Sequence, residues 1–321
     1  AEREAGERVM REIRRDPDYL PDELLSDYLN AVGGRLIAAA KRGRISGAAA
    51  TFDNGYQLFG VRDRSINAFA LPGGYIGVHT GLLVTTESED ELASVLSHEI
   101  GHVTQRHIAR MVGAQQRNGM IAAATLLLGL LAATRSPDAA QALIIGGQAL
   151  AVDNQLSFSR GAEREADRVG FQILDAAGYD VNAMARFFER LQRATALREA
   201  GAPGYVRTHP LTQARIAEIE DRARGAVHRE PAISTDFVLM RVRAQVLQAT
   251  TQGEWITLRT QLETQRARAA TPLAIAAAEY GIALTSQRLD DGPRAARALA
   301  AARAALPEAP IPAFDLLAVE L

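Results

Sequence analysis

Apolar residues recur at helical spacing through much of the chain. Between residues 22 and 40, Leu25, Tyr28, Leu29, Val32 and Leu36 fall on one side of a helix. A second such face, Leu92, Val95, Leu96, Ile100 and Val103, follows Ser88-Glu89-Asp90-Glu91. That stretch reads as a capping box from Ser88 to Glu91 with acids in the first turn. From Asp180 to Arg193, Met184, Phe187, Phe188 and Leu191 point inward, so these aromatics are core. Residues 48–80 follow a different pattern. Thr51-Phe52, Tyr56 to Val61 and Tyr75 to Val78 carry strand signals, broken by Asn54-Gly55 and Pro72-Gly73-Gly74. They predict a small sheet beside the helix that starts near Ser88. Residues 194–209, with Gly201-Ala202-Pro203-Gly204, read as a loop, and residues 225–234 as a linker.

One stretch is apolar on all sides. Met120 to Ala133 is a largely apolar run of 14 residues. As a helix it spans about 21 Å, short of the ~30 Å hydrocarbon core of a bilayer. Arg135-Ser136-Pro137-Asp138 ends it, and Ala139 to Val152 forms a second apolar segment interrupted by Gly146-Gly147. A buried helical hairpin and a lid or membrane-surface element are both compatible with residues 120–152. Their place between two candidate site helices favours a mobile lid, with peripheral membrane contact as a further expectation.

Composition narrows the field modestly. A chain of 321 residues suggests two domains, and 47% hydrophobic content suits a sizeable core. A net charge of −2 supplies no basic field for nucleic acid. The absence of cysteine excludes a disulfide framework and cysteine catalysis. The chain opens Ala1-Glu2-Arg3 and stays rich in charge to residue 18, so a signal peptide removed or a trimmed chain is expected.

The chemistry is concentrated in His98-Glu99-Ile100-Gly101-His102. Two histidines at i and i+4 share one side of a helix, and their imidazoles can share one zinc ion. Glu99 then lies beside the metal, where it can take a proton from the attacking water. Ser94 and Gly101 leave room for a neighbouring element. Zinc needs a third protein ligand. An extended histidine motif is closed, because Gln105 and Ile108 stand where glycine and histidine would be required. His107 lies nine residues after His98, roughly half a turn around the same helix, and is expected to face elsewhere as a surface or backing histidine. Ser159 to Asp167 supplies the other solution. Glu163 and Asp167 are i and i+4, so Glu163 can bind zinc while Asp167 accepts the free N–H of a zinc-bound histidine. Glu165 falls about 200° from Glu163 and reads as solvated. Without the histidine motif, this run would be an ordinary charged helix face.

Together these motifs resemble the metallopeptidase family of HtpX and the CAAX prenyl endopeptidase. That family pairs His-Glu-x-x-His with a downstream Glu-x-x-Ala-Asp, matched by Glu163 to Asp167. Further matching segments are Asn67 to Ile76, Thr80-Gly81-Leu82-Leu83, Gly101 to His107, and Thr208-His209-Pro210 with Arg215-Ile216. The resemblance covers roughly residues 20–225 and is nearest to the family's periplasmic, β-barrel assembly-enhancing branch. It implies one zinc ion per chain held by His98, His102 and Glu163, with Glu99 as catalytic base. It implies that the sheet edge near Ala68 to Ala70 pairs with an extended peptide. His209 matches a histidine that can plug the fourth zinc position and keep the enzyme latent; otherwise it is a turn residue before Pro210. His209, or a donor such as Arg215, would stabilise the oxyanion or gate the metal.

Beyond residue 235 the chain is helical and alanine-rich. Ala283, Ala295, Leu299, Ala302 and Pro307 loosely match tetratricopeptide positions, and Pro272 and Pro307 lie 35 apart, near the ~34-residue period. A generic helical bundle is the other reading. The end at Leu321 looks like the start of another helix, with a terminal cap missing. The expected fold is therefore mainly α (α+β). A zincin-like domain with a small sheet occupies 1–228, and a tetratricopeptide-like domain with a groove for protein partners occupies 235–321. The expected function is periplasmic zinc endopeptidase, acting on misfolded or stalled envelope proteins, with chaperone-like activity and contact to outer-membrane assembly machinery. A latent scaffold for outer-membrane clients is the alternative. A membrane-embedded peptidase is disfavoured, because no run of about 18 apolar residues occurs.

Overall fold

The computed structural model describes residues 2–48, 52–53, 55–112, 160–196, 204–227, 229, 233–307 and 311–320. The candidate lid at 120–152 lies outside the described residues. Four strands form one sheet: β1 (Tyr19–Leu20), β2 (Gln57–Val61), β3 (Ala68–Leu71) and β4 (Tyr75–His79), in the order β1-β2-β4-β3. β2 and β4 run parallel, with Gln57 opposite Tyr75 and Val61 opposite His79. β3 and β4 form a hairpin whose turn passes through Gly73 and Gly74 at φ +83° and +86°, a region that glycine enters without strain. β3 is an edge strand, as the resemblance implied for Ala68 to Ala70.

Both sheet faces are covered, which is why the strands read as nearly continuous apolar runs. On one face α1 (Glu2–Ile13) sets Val9, Met10 and Ile13 against Phe59, Phe69, Leu71 and Tyr75. On the other, Leu58, Ala70, Ile76 and Val78 join the main core with α2 (Glu23–Arg42) and α4 (Glu89–Thr104). The short α3 (Thr80–Thr85) leads into α4. The expected strand at Thr51-Phe52 is corrected at Phe52, which is helical, its ring buried edge-on to Tyr56 at 6.3 Å; Thr51 lies outside the described residues. Burial of the Phe52 ring overrides the strand preference of its residue type.

Ser88 caps α4 by accepting from the Glu91 N–H, but the box does not close. Glu91 instead accepts from the Glu87 N–H and is forked by Arg190 of α7 (Asn182–Ala196) at 2.6 and 2.8 Å. After Thr104 the chain turns through Arg106 at φ +53° before α5 (His107–Val112). The next described helix is α6 (Arg160–Ala176). Part of the expected loop at 194–209 is helical, as α8 (Gly204–Thr208), and α9 (Gln213–Arg224) follows.

The remaining helices are α10 (Thr235–Gln248), α11 (Gln252–Arg268), α12 (Pro272–Arg288), α13 (Gly292–Ala305) and α14 (Pro312–Glu320). Pro272 starts α12 and Pro307 follows α13, so their spacing spans the α12–α13 pair. α10 is fastened to the N-terminal half. Arg243 pairs with Asp22, the N-cap of α2, at 2.8 Å, and donates to Tyr280 Oη. Ser234, the N-cap of α10, donates to Glu89 at the start of α4, at 2.6 Å. Among the described residues, no helix is long and apolar enough to cross a membrane.

Candidate metal centre

α4 carries His98 and His102 one turn apart with Glu99 next to His98, and α6 crosses it closely enough to bring Glu163 and Asp167 alongside. The close crossing depends on two glycines. A Cβ on Gly101 would lie 2.9 Å from Ala166 O, and one on Gly170 would lie 2.9 Å from His98 N. Gly170→Ala should therefore lower stability by about 1–3 kcal/mol through overpacking, although alanine is the better helix former by ~1 kcal/mol. Thermal melts check this; a raised melting temperature would show that the crossing is not tight.

His98, His102, Glu163 and His209 are all buried, and one donor atom from each lies within 4.8 Å of all the others. His98 Nε2 and His102 Nε2 are 2.9 Å apart, and His98 Nε2 lies 3.3 Å from His209 Nδ1. Glu163 Oε1 is 3.1 Å from His209 Nδ1 and 3.4 Å from His102 Nε2. The glutamate lies with its back to Arg215, whose Nη1 is 2.8 Å from Glu163 Oε2. Glu163 Oε2 is thus held in a buried ion pair, and Oε1 is left toward the imidazoles of His102 and His209. Imidazole nitrogens of three histidines and a carboxylate oxygen, converging within 4.8 Å of one another, are the donor set that zinc takes. On this observation the residues fit a metal ion.

The surrounding charges are ordered. Asp167 Oδ1 lies 2.9 Å from His98 Nδ1, and Arg215 grips Asp167 through Nε and Nη2 at 2.6 and 2.8 Å. Burial disfavours a charged His98, but Asp167 and Glu163 outweigh it and hold its pKa up at about 9. For His102 burial wins over Glu163, so its pKa falls well below the usual imidazole range. Glu163 goes the other way. Burial would raise it, but His209, His102 and His98 hold it well below the usual carboxylate range. Glu99 is raised by burial, only partly offset by His209 and His98, and the Ala70 N–H of edge strand β3 also bears on it. His209 Nε2 is 3.4 Å from Glu99 Oε1, so His209 sits between the general-base candidate and the carboxylate ligand candidate.

Two residues, Glu165 and Tyr205, have roles that the sequence reading missed, and a third takes one of its two expected readings. His107 was expected to face elsewhere as a surface or backing histidine, and Glu165 to be solvated. His107 is buried with its Nδ1 2.8 Å from His102 Nδ1, and its Nε2 is 2.9 Å from Glu165 Oε2. The angular arithmetic assumed one continuous helix, and the left-handed Arg106 breaks it. Tyr205 is fully buried and stacks on His209 with ring centroids 4.6 Å apart. Its place one turn before His209 was the available signal, hidden by reading 194–209 as a loop.

A His-Glu-x-x-His helix joined by a glutamate and an aspartate of a second helix defines a metallopeptidase centre. Residues 28–223 match the profile of Peptidase family M48, and the chain belongs to that family. It is 39% identical over 239 residues to a Vibrio cholerae protein named as a candidate beta-barrel assembly-enhancing protease, covering 74% of this chain and 47% of that one. It is 34% identical over 242 residues to the beta-barrel assembly-enhancing protease of Escherichia coli K12, covering 75% and 48%. With the mitochondrial metalloendopeptidase OMA1 of Schizosaccharomyces pombe it shares 33% identity over 222 residues, covering 68% and 56%. The chain spans about half the length of the bacterial relatives.

Proposed function

We propose that the protein is a zinc-dependent endopeptidase in which His98, His102 and Glu163 hold one zinc ion. The carrying observation is the buried four-residue donor cluster with Glu99 beside it. When bound, zinc would polarise the scissile carbonyl and acidify the attacking water. Glu99 takes the proton from that water and passes it to the leaving amine; a carboxylate raised by burial suits this two-way transfer. Asp167 and Arg215 fix His98 from behind. The edge of β3, with Ala70 facing Glu99, holds an extended peptide by strand addition, which demands little of its sequence.

His209 supports a latent resting state. It stands among the donors, within 3.4 Å of both Glu99 and Glu163, and Tyr205 stacks against it. Substrate must displace it, so His209 gates the centre; Arg215, committed to Asp167 and to Pro210 O at 2.8 Å, anchors the gating turn rather than serving an oxyanion. The proposed domains are 1–228 for the peptidase and 235–321 for a tetratricopeptide-like partner-binding unit; the interval between α9 and α10 supports that division. The relatives' name and the resemblance support a periplasmic setting, misfolded envelope proteins as substrates and contact with outer-membrane assembly machinery.

The plug also favours a second reading, a chaperone-like scaffold with rare proteolysis. Casein hydrolysis by wild type and His209→Ala decides between them. A rise of about 10-fold or more in the variant supports a gated peptidase, the scale of the population shift when one closing contact of ~1.4 kcal/mol is lost. Silence in both, with client binding intact, supports the scaffold.

A further inference from the structure

Each of the two candidate histidine ligands on α4 has a carboxylate behind it, but by different routes. His98 meets Asp167 directly. His102 turns its far nitrogen to an imidazole. Its Nδ1 lies 2.8 Å from Nδ1 of His107, and His107 Nε2 lies 2.9 Å from Glu165 Oε2. Glu165 is also held by Arg110 Nη1 at 2.9 Å, which favours its ionised form. We infer that Glu165 and His107 form a directed hydrogen-bond relay that fixes His102 as a metal ligand, and that both are positioning residues of the centre. This rests on the zinc reading above.

The direction of the relay follows from counting protons. His102 turns Nε2 toward His98 and Glu163, so binding a cation there requires a free lone pair on Nε2 and the proton on Nδ1. Between the two facing Nδ1 atoms there is room for one proton. His102 supplies it, so His107 Nδ1 accepts, and the proton of His107 resides on Nε2. That N–H then donates to Glu165 Oε2. The opposite order would place the His102 proton on Nε2, blocking the metal. It would also aim a lone pair of His107 at a carboxylate, which is repulsive. Glu165 therefore selects the tautomer of His102 from two bonds away.

The backbone makes the relay possible. The left-handed Arg106 ends α4 and folds His107 back against His102, with ring centroids 4.9 Å apart at 74°. Arg106 is tied to Glu2 of α1, its Nε 2.8 Å from Glu2 Oε1. Helix α6 then contributes twice, with Glu163 and Asp167 toward the donor cluster and Glu165 behind His107. Outer partners of this kind typically tune metal affinity by about 10–100-fold.

The test is zinc competition against a chromophoric chelator, using the full chain and its His107→Phe, Glu165→Leu and Glu165→Asp variants. Zinc should bind about 10–100-fold more weakly to His107→Phe and Glu165→Leu, with partial recovery in Glu165→Asp. Nitrogen-15 spectra of the zinc-loaded wild type should place protons on His102 Nδ1 and His107 Nε2. Glu165 is 30% exposed, so Glu165→Leu keeps the test decisive if His107→Phe does not fold. Tight zinc binding in the wild type with unchanged affinity in a folded Glu165→Leu overturns the relay alone, as does a proton on His107 Nδ1. Failure of the wild type to bind zinc overturns the metal reading and the relay with it.

Discussion

Glu99→Gln should retain zinc and lose peptide hydrolysis by about 10²–10⁴-fold, the usual contribution of a positioned general base. The amide keeps the shape of the side chain in its buried setting between His209 and β3, so packing is preserved. What it removes is the ability to accept a proton from water. Glu99 is outside the four-residue donor cluster, so metal content should stay at the wild-type level. Two measurements on one preparation, zinc stoichiometry and casein turnover, separate these effects. Hydrolysis surviving at wild-type rate would remove Glu99 from the mechanism. Loss of zinc together with activity would make it a structural part of the site.

The second large effect concerns stability. Arg215→Ala should destabilise the metal-free fold by about 3–5 kcal/mol, because it strands buried carboxylates without their partner. Arg215 grips Asp167 with two bonds, lies 2.8 Å from Glu163, holds Pro210 O and rests over the Phe188 ring at 5.2 Å. Melts in chelator should show a fall on the order of 10 °C. Arg215→Lys should recover only part of it, since an ammonium cannot fork a carboxylate. The pH dependence has a definite sign. Burial would raise Asp167, but bonds from Arg215 and His98 overcome it and leave its pKa depressed. Its contribution is present above the ordinary carboxylate range and is lost as pH falls through the depressed value. The gap between wild type and Arg215→Ala should therefore narrow in acid. A variant melting within about 2 °C of wild type at neutral pH would mean that the site does not depend on this ion pair.

The sequence was legible where chemistry is local. His98, Glu99 and His102 share a helix, and helical arithmetic places them together without any knowledge of the fold. Glu163 and Asp167 were readable for the same reason, once zinc demanded a third ligand. The glycine at 101 also signalled a close neighbour, which proved to be the Ala166 backbone. Legibility ended where the helix did. One left-handed residue, Arg106, turned His107 from a residue facing away into a partner of His102, and no periodicity predicts such a break. Glu165 was misread as solvated because its partners come from that relocated turn. Tyr205 was hidden in a segment whose glycines and proline masked a single helical turn. The half-closed cap at Ser88 has a similar cause, since Arg190 from a distant helix draws Glu91 off its local partner. In each case a tertiary contact overrode a local rule.

The proposed chemistry requires a metal held by His98, His102 and Glu163. Elemental analysis of the purified chain beside His98→Ala tests it most directly. Zinc near one equivalent per chain in the wild type and its loss in His98→Ala is the predicted result. A wild type without zinc, or a His98→Ala protein that keeps it, would contradict the account.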